Sequence, residues 1–333
     1  MSSTTTDIYP TDHALIGAST KLPAPAPTPT ISLSPISLSI PSRPVPLQLR
    51  LTLPATGTSL PIILLSHGHG SSNNLSSLNG YGPLVSFWAS RGFAVIQPTH
   101  LSSKSLKLPS ETAGAPLYWR QRVEDMKAIL DRLDDIEQAA PFAQGRLDAS
   151  KIAVAGHSLG GHTASMLLGM KTSDPESDGE LTDLSEPRIK AGILMAVPGD
   201  GGEALSESGY NILPFQRKVD FGNMKTPALV VAGDDDGSAH LTVNGWKWHA
   251  DPYRLGNGPK SLFTLFGGDH CLGGVSGWDA AETVNESPER VAAVQRLTYA
   301  YLKTALFSGD SSWAEATKAL EEIGSLGRVE SKE

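Results

Sequence analysis

The chain has 333 residues, of which 39% are hydrophobic and 19% are charged, a composition typical of globular proteins. Its formal net charge is -8 and it contains no run of lysine or arginine, which argues against a nucleic-acid partner. Its one cysteine, Cys271, excludes internal disulfides and multi-cysteine metal sites.

Targeting signals are absent from the residues that would carry them. No stretch reaches the roughly 18 consecutive apolar residues of a membrane-spanning helix, so we expect no membrane insertion. The first residues lack the basic and long apolar regions of a secretory signal, and we therefore expect a cytoplasmic protein. The sequence leaves the oligomeric state open.

The first predicted element is a proline-rich arm over residues 1–44. Proline has no N–H to donate to a sheet, so this arm is expected to be extended and to lead into edge strands. Residues 45–53 (VPLQLRLTL) alternate between apolar and polar, which is typical of a half-buried antiparallel strand. We predict a single domain over residues 45–310 and a peripheral tail over residues 311–333.

Short apolar runs follow, and helical patterns lie between them. Continuous apolar character indicates strands covered on both faces, as in a parallel sheet. The runs are PIILLS (61–66), FAVIQ (93–97), KIAVA (151–155), AGILMAV (191–197), ALVVA (228–232) and SLFTLF (261–266). The helical patterns cover residues 83–91, 116–138 and 288–302, whereas the acidic segment 172–186 is predicted to be a surface loop. This alternation predicts a doubly wound, mostly parallel α/β sheet with N-terminal antiparallel edge strands and no large cap domain.

The strand at 151–155 leads into Gly156-His157-Ser158-Leu159-Gly160, a G-x-S-x-G sequence between a strand and a helix. A sharp turn of this kind strains the serine backbone and leaves no room for side chains at the two glycine positions. Ser158 is therefore the predicted nucleophile. The alternative interpretation is a glycine-rich turn without chemistry.

A serine nucleophile needs a base and an acid, which in sites of this type follow it along the chain. His270, after the last predicted strand, is the predicted general base. Asp236 is the predicted acid, because it has a G-x-x-D spacing after ALVVA. Asp200, after the preceding strand, is the alternative acid.

The segment Ser66–Gly70 (SHGHG) follows the first core strand and is expected to lie at the same sheet edge. We predict that the backbone N–H groups of His69 and Leu159 bind the oxyanion of the reaction. The segment lacks the lysine of a phosphate loop and the further ligands of a zinc site, so we expect no metal there. Cys271 is expected to pack in the core rather than to act as a nucleophile.

The walls of the substrate pocket are expected to come from the loops over residues 101–119, 198–222 and 239–253. Trp119, Trp246 and Trp248 are the candidate pocket residues. The alternative is that these tryptophans pack the loops onto the body of the domain.

Over roughly residues 45–307 the chain resembles the α/β-hydrolase superfamily. The segments SHGHGSS, YGPLVSFWASRGFAVIQPTH, GHSLGG and GGDHCLGG look most like the branch of dienelactone hydrolases, chlorophyllase-like esterases and platelet-activating-factor-acetylhydrolase-like enzymes. The resemblance implies no cofactor. Dienelactone hydrolases proper carry cysteine where this chain has Ser158. In the acetylhydrolases the acid follows the earlier strand, which keeps Asp200 as the alternative.

We therefore predict a serine carboxylic-ester hydrolase that forms an acyl-enzyme. The substrate is expected to be a small-molecule ester of small to medium size, with aromatic esters and lactones included. The same three residues also serve amidases, thioesterases and acyltransferases, which stay open as alternatives. A ligand receptor built on a hydrolase scaffold is an alternative of a different class.

Overall fold

The structure is a computed structural model that describes residues 14–277 and 280–333. Its strands are β1 (Thr30–Leu38), β2 (Leu47–Pro54), β3 (Leu60–Ser66), β4 (Ala94–Pro98), β5 (Leu147–His157), β6 (Lys171–Ser173), β7 (Leu181–Thr182), β8 (Ile189–Met195), β9 (Val219–Asp220), β10 (Ala228–Gly233), β11 (Lys260–Leu265) and β12 (Gly327–Lys332). Its α-helices are α1 (Gly82–Ala89), α2 (Trp119–Asp131), α3 (Leu133–Ala139), α4 (Leu159–Leu167), α5 (Glu207–Ile212), α6 (Asp251–Leu255), α7 (Pro288–Leu306) and α8 (Ser312–Ile323).

One large sheet organises the described residues, with its strands in the order β1-β2-β4-β3-β5-β8-β10-β11-β12. The six strands from β4 to β11 in this order run parallel to one another. The strands β1, β2 and β12 pair antiparallel at the two sides. The predicted α/β fold, with a mostly parallel sheet and antiparallel N-terminal strands, is confirmed.

Two apolar layers cover the two faces of the sheet. Side chains alternate along a strand, so Ile63 and Leu65 enter the layer beneath α1 and α7, whereas Ile62 and Leu64 enter the layer beneath α2 and α4. Because both faces are covered, β3 is buried along its whole length. This burial explains the continuous apolar character of the core strands.

The sheet extends beyond the limits that we set from the sequence. β1 lies inside the predicted arm and pairs with β2, and the register of this pair shifts around Pro35, as expected for proline in an edge strand. α8 and β12 lie inside the predicted tail, where β12 covers the edge of β11 along its length. We propose that both segments belong to one domain.

Two local predictions differ from the structure. The helical pattern over 116–138 is divided into α2 and α3 at Arg132, whose φ and ψ angles of -122° and 25° are not helical. The segment 172–186, predicted to be a surface loop, contributes β6 and β7 to a small sheet with the order β7-β6-β9. Thr172 and Ser173 are buried there, and their burial is tolerated because both hydroxyls donate hydrogen bonds to the carbonyl of Phe215. Their polar character therefore concealed their burial.

The helix α7 begins as predicted, since the Ser287 hydroxyl accepts a hydrogen bond from the backbone N–H of Arg290 at 3.2 Å. Pro288 occupies the first helical position. Within the described residues, no helix combines the length and the apolar character needed to cross a membrane.

The packing of α8 yields a stability prediction. Leu320 is 1% exposed and belongs to the core layer that α7 also enters, so Leu320→Ala should lower the free energy of unfolding by about 2–5 kcal/mol. Urea unfolding followed by circular dichroism measures the loss. The adjacent exposed residue provides the control, and Glu321→Ala should change stability by less than about 0.5 kcal/mol. Equal effects of the two variants would contradict the integration of α8 into the domain.

Candidate active site

The predicted nucleophile occupies the turn between β5 and α4. Ser158 has φ and ψ angles of 54° and -122°, a conformation that residues other than glycine rarely adopt. Its N–H donates to the carbonyl of Met195 on β8, and its carbonyl accepts from the N–H of His162 on α4. These two hydrogen bonds fix the strained backbone between a strand and a helix.

Glycine is required on both sides of this turn by close contacts. A Cβ atom at Gly156 would overlap the backbone of Gly160, and a Cβ atom at Gly160 would overlap the backbone of Ser66. Glycine at 156 therefore allows the first turn of α4 to lie close to the end of β5, and glycine at 160 allows the same turn to approach the end of β3.

The structure brings Ser158, His270 and Asp236 together in one hydrogen-bonded series. The Nε2 atom of His270 lies 2.9 Å from the Oγ atom of Ser158, and its Nδ1 atom lies 2.7 Å from Oδ2 of Asp236. The side chain of His270 is 37% exposed, whereas that of Asp236 is 2% exposed. The series therefore runs from a buried carboxylate to a hydroxyl that solvent can approach.

The two titratable members of the series shift each other's pKa. Burial alone would raise the pKa of Asp236, but hydrogen bonds from His249 and His270 outweigh it and hold this pKa far below its ordinary range. Burial lowers the pKa of His270, but the hydrogen bond and the charge of Asp236 outweigh burial and raise it above 6.5. The carboxylate is thus ionised and the imidazole is a stronger base than free histidine.

The neighbouring aspartates have other partners. The backbone N–H of Asp200 donates to Asp251, and its own carboxylate accepts from the N–H of Gly201. Asp234 accepts a hydrogen bond from the N–H of Gly267, and Asp235 is exposed. Within the described part of the chain, Asp236 is the aspartate whose carboxylate bonds to His270.

The two predicted oxyanion donors, the N–H groups of His69 and Leu159, follow the ends of the adjacent strands β3 and β5. Ser66, at the end of β3, pairs with Gly156 at the end of β5, so the SHGHG segment runs beside the turn of Ser158. Across residues 14–277 and 280–333, no acceptor takes a hydrogen bond from the N–H of His69 or Leu159.

A buried chain of hydrogen bonds joins this segment to the predicted base. The Nε2–H group of His157 donates to the carbonyl of His270 at 2.6 Å, so its Nδ1 atom accepts from the Tyr81 hydroxyl at 2.9 Å. The Tyr81 oxygen in turn accepts from the N–H of Gly68 at 2.9 Å. Burial lowers the pKa of His157 to about 3, so this histidine is neutral. These hydrogen bonds connect the SHGHG segment to the backbone of His270.

Arg122 also holds the SHGHG segment in place. Its fully buried guanidinium, on α2, donates to the carbonyl of His67, to the Ser102 hydroxyl at 2.6 Å and to the Thr163 hydroxyl at 3.1 Å. It therefore ties three elements to the loop after β3. Arg122 was not predicted from the sequence, because nothing in its local pattern distinguishes it from a surface arginine.

A second Ser–His–Asp series lies inside the protein. Nε2 of His100 is 3.0 Å from Oγ of Ser66, and Nδ1 of His100 is 2.8 Å from Oδ2 of Asp125. Arg43 forms an ion pair with Asp125, and Arg122 donates to Ser66 at 3.3 Å. These side chains are inaccessible to solvent, so we interpret this series as structural.

His249 also contacts Asp236, although it was not among the residues selected from the sequence. Its Nε2 atom lies 3.1 Å from Oδ2 of Asp236, and possible ligand atoms of Asp236, His249 and His270 all lie within 4.8 Å of one another. Such residues can bind zinc, but here each of these atoms already takes part in a hydrogen bond. His249 follows no predicted strand end, so strand order gave no signal for it.

The three candidate pocket tryptophans have different surroundings. Trp119 stacks on Phe215, with ring centroids 6.0 Å apart, and lines a cavity of about 200 Å³. Trp248 is fully buried, and its Nε1–H group donates to the carbonyl of Asp200. It therefore packs in the interior, which agrees with the alternative that these tryptophans pack loops onto the body of the domain. Trp246 is half-buried against the core layer beneath α2 and α4.

Two small cavities border predicted residues, one beside His69 and the other beside Trp119. A cleft of about 320 Å³ includes His69, Leu101 and Tyr118, and it shares Ala115 and Pro116 with the cavity of Trp119. A larger cleft of about 930 Å³ lies between α1 and α7, and its lining contains none of the predicted site residues. The cleft of about 320 Å³ borders His69, but the linings of these three cavities include neither Ser158 nor His270.

Cys271 is 2% exposed, and its thiol donates to the carbonyl of Glu282 at 3.3 Å. Burial raises the pKa of this thiol to about 11, so almost none of it is ionised at neutral pH. Both observations agree with the expectation that Cys271 packs in the interior.

The hydrogen-bond chain through Tyr81 yields a second stability prediction. Tyr81→Phe leaves the buried N–H of Gly68 and Nδ1 of His157 without the hydroxyl, so the free energy of unfolding should fall by about 1–3 kcal/mol. Urea unfolding measures this loss. Tyr301→Phe is the matched control, because Tyr301 is also buried but its hydroxyl has no partner among the described residues. A Tyr81 variant as stable as that control would refute the structural role of the chain.

The sequence model of the chlorophyllase family matches residues 28–235, which is more than half of the chain. The matched segment includes Ser158 and ends just before Asp236. A search of curated proteins found no match to the chain. The family match supports an esterase-type hydrolase that acts on a small molecule. From the matched segment and the α/β sheet together, we conclude that the chain belongs to the chlorophyllase family of α/β-hydrolase-like serine esterases.

Proposed function

We propose that this protein is a serine carboxylic-ester hydrolase that acts on small to medium esters. The observation that carries the proposal is the hydrogen-bonded series from Asp236 through His270 to the approachable hydroxyl of Ser158. Membership of the chlorophyllase family supports the esterase class.

In the first proposed step, the Oγ atom of Ser158 attacks the ester carbonyl carbon while Nε2 of His270 takes the hydroxyl proton. The electron pair of the carbonyl π bond moves onto the carbonyl oxygen. The resulting oxyanion accepts hydrogen bonds from the N–H groups of His69 and Leu159. Asp236 stabilises the imidazolium that forms and holds Nδ1 of His270 as the donor.

The intermediate then collapses, the bond to the alcohol oxygen breaks, and His270 gives its proton to the departing alkoxide. Water attacks the acyl-enzyme in the second step, with His270 as base. Collapse of the second intermediate breaks the bond to Oγ, and the proton returns to Ser158. The products are one alcohol and one carboxylic acid, and no cofactor is needed.

The volumes of the two small cavities favour substrates of small to medium size. The cleft beside His69 has a volume of about 320 Å³ and its neighbour one of about 200 Å³, which suit an ester of small or medium size. Tyr118 and Trp119 give these cavities an aromatic lining that also suits aromatic esters and lactones.

A substrate series tests the proposal. We expect the wild-type protein to hydrolyse p-nitrophenyl esters from acetate to octanoate, with activity falling toward palmitate because the cavities are small. Ser158→Ala should lower kcat by about 10⁴-fold or more while the circular dichroism spectrum is unchanged. Cys271→Ala is the control and should retain turnover, because its thiol is buried and protonated.

Other outcomes of this assay identify the alternatives. Turnover that persists in Ser158→Ala would contradict the proposed mechanism. Inactivity toward the whole series, with turnover of amide or thioester analogues, would favour the other hydrolases of this type. Stoichiometric rather than catalytic product release would indicate a receptor. Chlorophyll, the ester to which the family's name refers, belongs in the assay as its largest member.

The pH dependence of catalysis follows from the pKa of His270. The imidazole must be neutral to accept the Ser158 proton, and Asp236 raises its pKa above 6.5. kcat/KM should therefore rise with pH and level off only above that raised pKa. Asp236 stays ionised throughout, so it adds no step near neutrality. Steady-state kinetics from pH 5 to 9 measures the profile, and a profile independent of pH over this range would contradict the role of His270.

A further inference from the structure

His249 lies beside the proposed acid but has no role in the steps above. It belongs to a short 3-10 helix over Gly245–Ala250, and its ring is 1% exposed. Its Nδ1 atom is 2.8 Å from the carbonyl oxygen of Val197. A carbonyl oxygen can only accept a hydrogen bond, so Nδ1 must carry a proton.

The other ring nitrogen faces oxygen atoms as well. Nε2 of His249 is 3.1 Å from Oδ2 of Asp236 and 3.2 Å from Oγ of Ser238. The Ser238 hydroxyl has one proton and donates it to Oδ1 of Asp236 at 2.7 Å. A lone pair on Nε2 would therefore meet two oxygens that offer it no proton, whereas an Nε2–H group satisfies both.

The surrounding charges agree with this hydrogen-bond count. The carboxylate of Asp236 lies 3.1 Å from Nε2 of His249, a distance at which opposite charges attract strongly in a buried site. Among the described residues, His249 also interacts with the carboxyl group of Asp251, with His157, which is neutral, and with His270, whose ring centroid is 5.6 Å away.

We propose that His249 carries protons on both ring nitrogens and, as a buried imidazolium, positions the Asp236 carboxylate and partly offsets its charge. This positioning role rests on the proposed function of Ser158, His270 and Asp236, whereas the protonation of His249 does not. Asp236 is then held by three donors, which are His249, Ser238 and His270. The carboxylate cannot turn away from His270 without losing hydrogen bonds that no water can replace in a buried site.

A charged His249 affects the proposed base, His270. A positive charge on His249 opposes protonation of His270, so it counteracts part of the increase in pKa that Asp236 causes. Removing that charge should move the acidic limb of kcat/KM upward by about one pH unit. A purely structural His249 would change stability without moving this limb.

Two substitutions separate charge from packing. His249→Asn keeps a donor near the carbonyl of Val197, and His249→Gln keeps one near Asp236, but neither carries a charge. Both should shift the acidic limb upward by about one pH unit and lower kcat/KM at pH 6.5 about tenfold. His240→Gln is the matched control, because His240 is an exposed histidine of the same segment, and its profile should equal that of the wild type. Unshifted limbs in both His249 variants would overturn the positioning role.

A spectroscopic readout tests the protonation without any substrate. In ¹⁵N-histidine-labelled wild-type protein at pH 7.5, both ring nitrogens of His249 should show the shifts of protonated nitrogen. Its signals are assigned through contacts with the ring of Trp248, whose centroid is 5.3 Å away. His157 is the internal reference for a neutral ring protonated only at Nε2. A His249 ring with one unprotonated nitrogen would overturn the proposal.

The two measurements also separate this inference from the proposed function. If no ester is hydrolysed but His249 is doubly protonated, the function fails and the charge assignment stands. If esters are hydrolysed through Ser158 but His249 is neutral, the function stands and the inference fails.

Discussion

The close approach of α4 to the end of β3 is the constraint on which the rest of the candidate site depends. Glycine at 156 and 160 allows that approach, and Ser158 consequently takes a backbone conformation that costs of the order of 1–3 kcal/mol. The hydrogen bond to Met195 and the pairing of β5 with its neighbours hold the turn against this strain. The same approach brings the SHGHG segment beside the serine, and the hydrogen bonds of Tyr81 then connect that segment to the histidine after β11.

Burial, rather than connectivity, distinguishes the two Ser–His–Asp series of this protein. Distances within the series of Ser66 and within that of Ser158 differ by no more than about 0.1 Å. Ser66 is enclosed beneath the loop after β3, where Arg122 takes part in the same network, whereas Ser158 is only half-buried and its histidine meets solvent. Hydrogen bonds alone therefore do not distinguish the proposed nucleophile from Ser66, whereas the exposure of the hydroxyl does.

Much of the fold and the centre of the site could be predicted from the sequence, because both depend on local patterns. Apolar runs marked the core strands, and chain order selected Ser158, Asp236 and His270, which the structure brings into contact while their roles stay proposals. β12 was missed because its sequence, GRVESK, has little apolar character and is stabilised by pairing with β11. His249 and Arg122 were missed because their partners are distant in sequence and only the folded chain brings them together.

Covalent labelling with a fluorophosphonate tests the central claim most directly, because this reagent reacts with serines that an adjacent base activates. Mass spectrometry of the digested protein identifies the labelled residue. We expect a single adduct on the peptide that contains Ser158 and none on the peptide that contains Ser66. An adduct on Ser66, or a native protein in which Ser158 stays unlabelled, would contradict it.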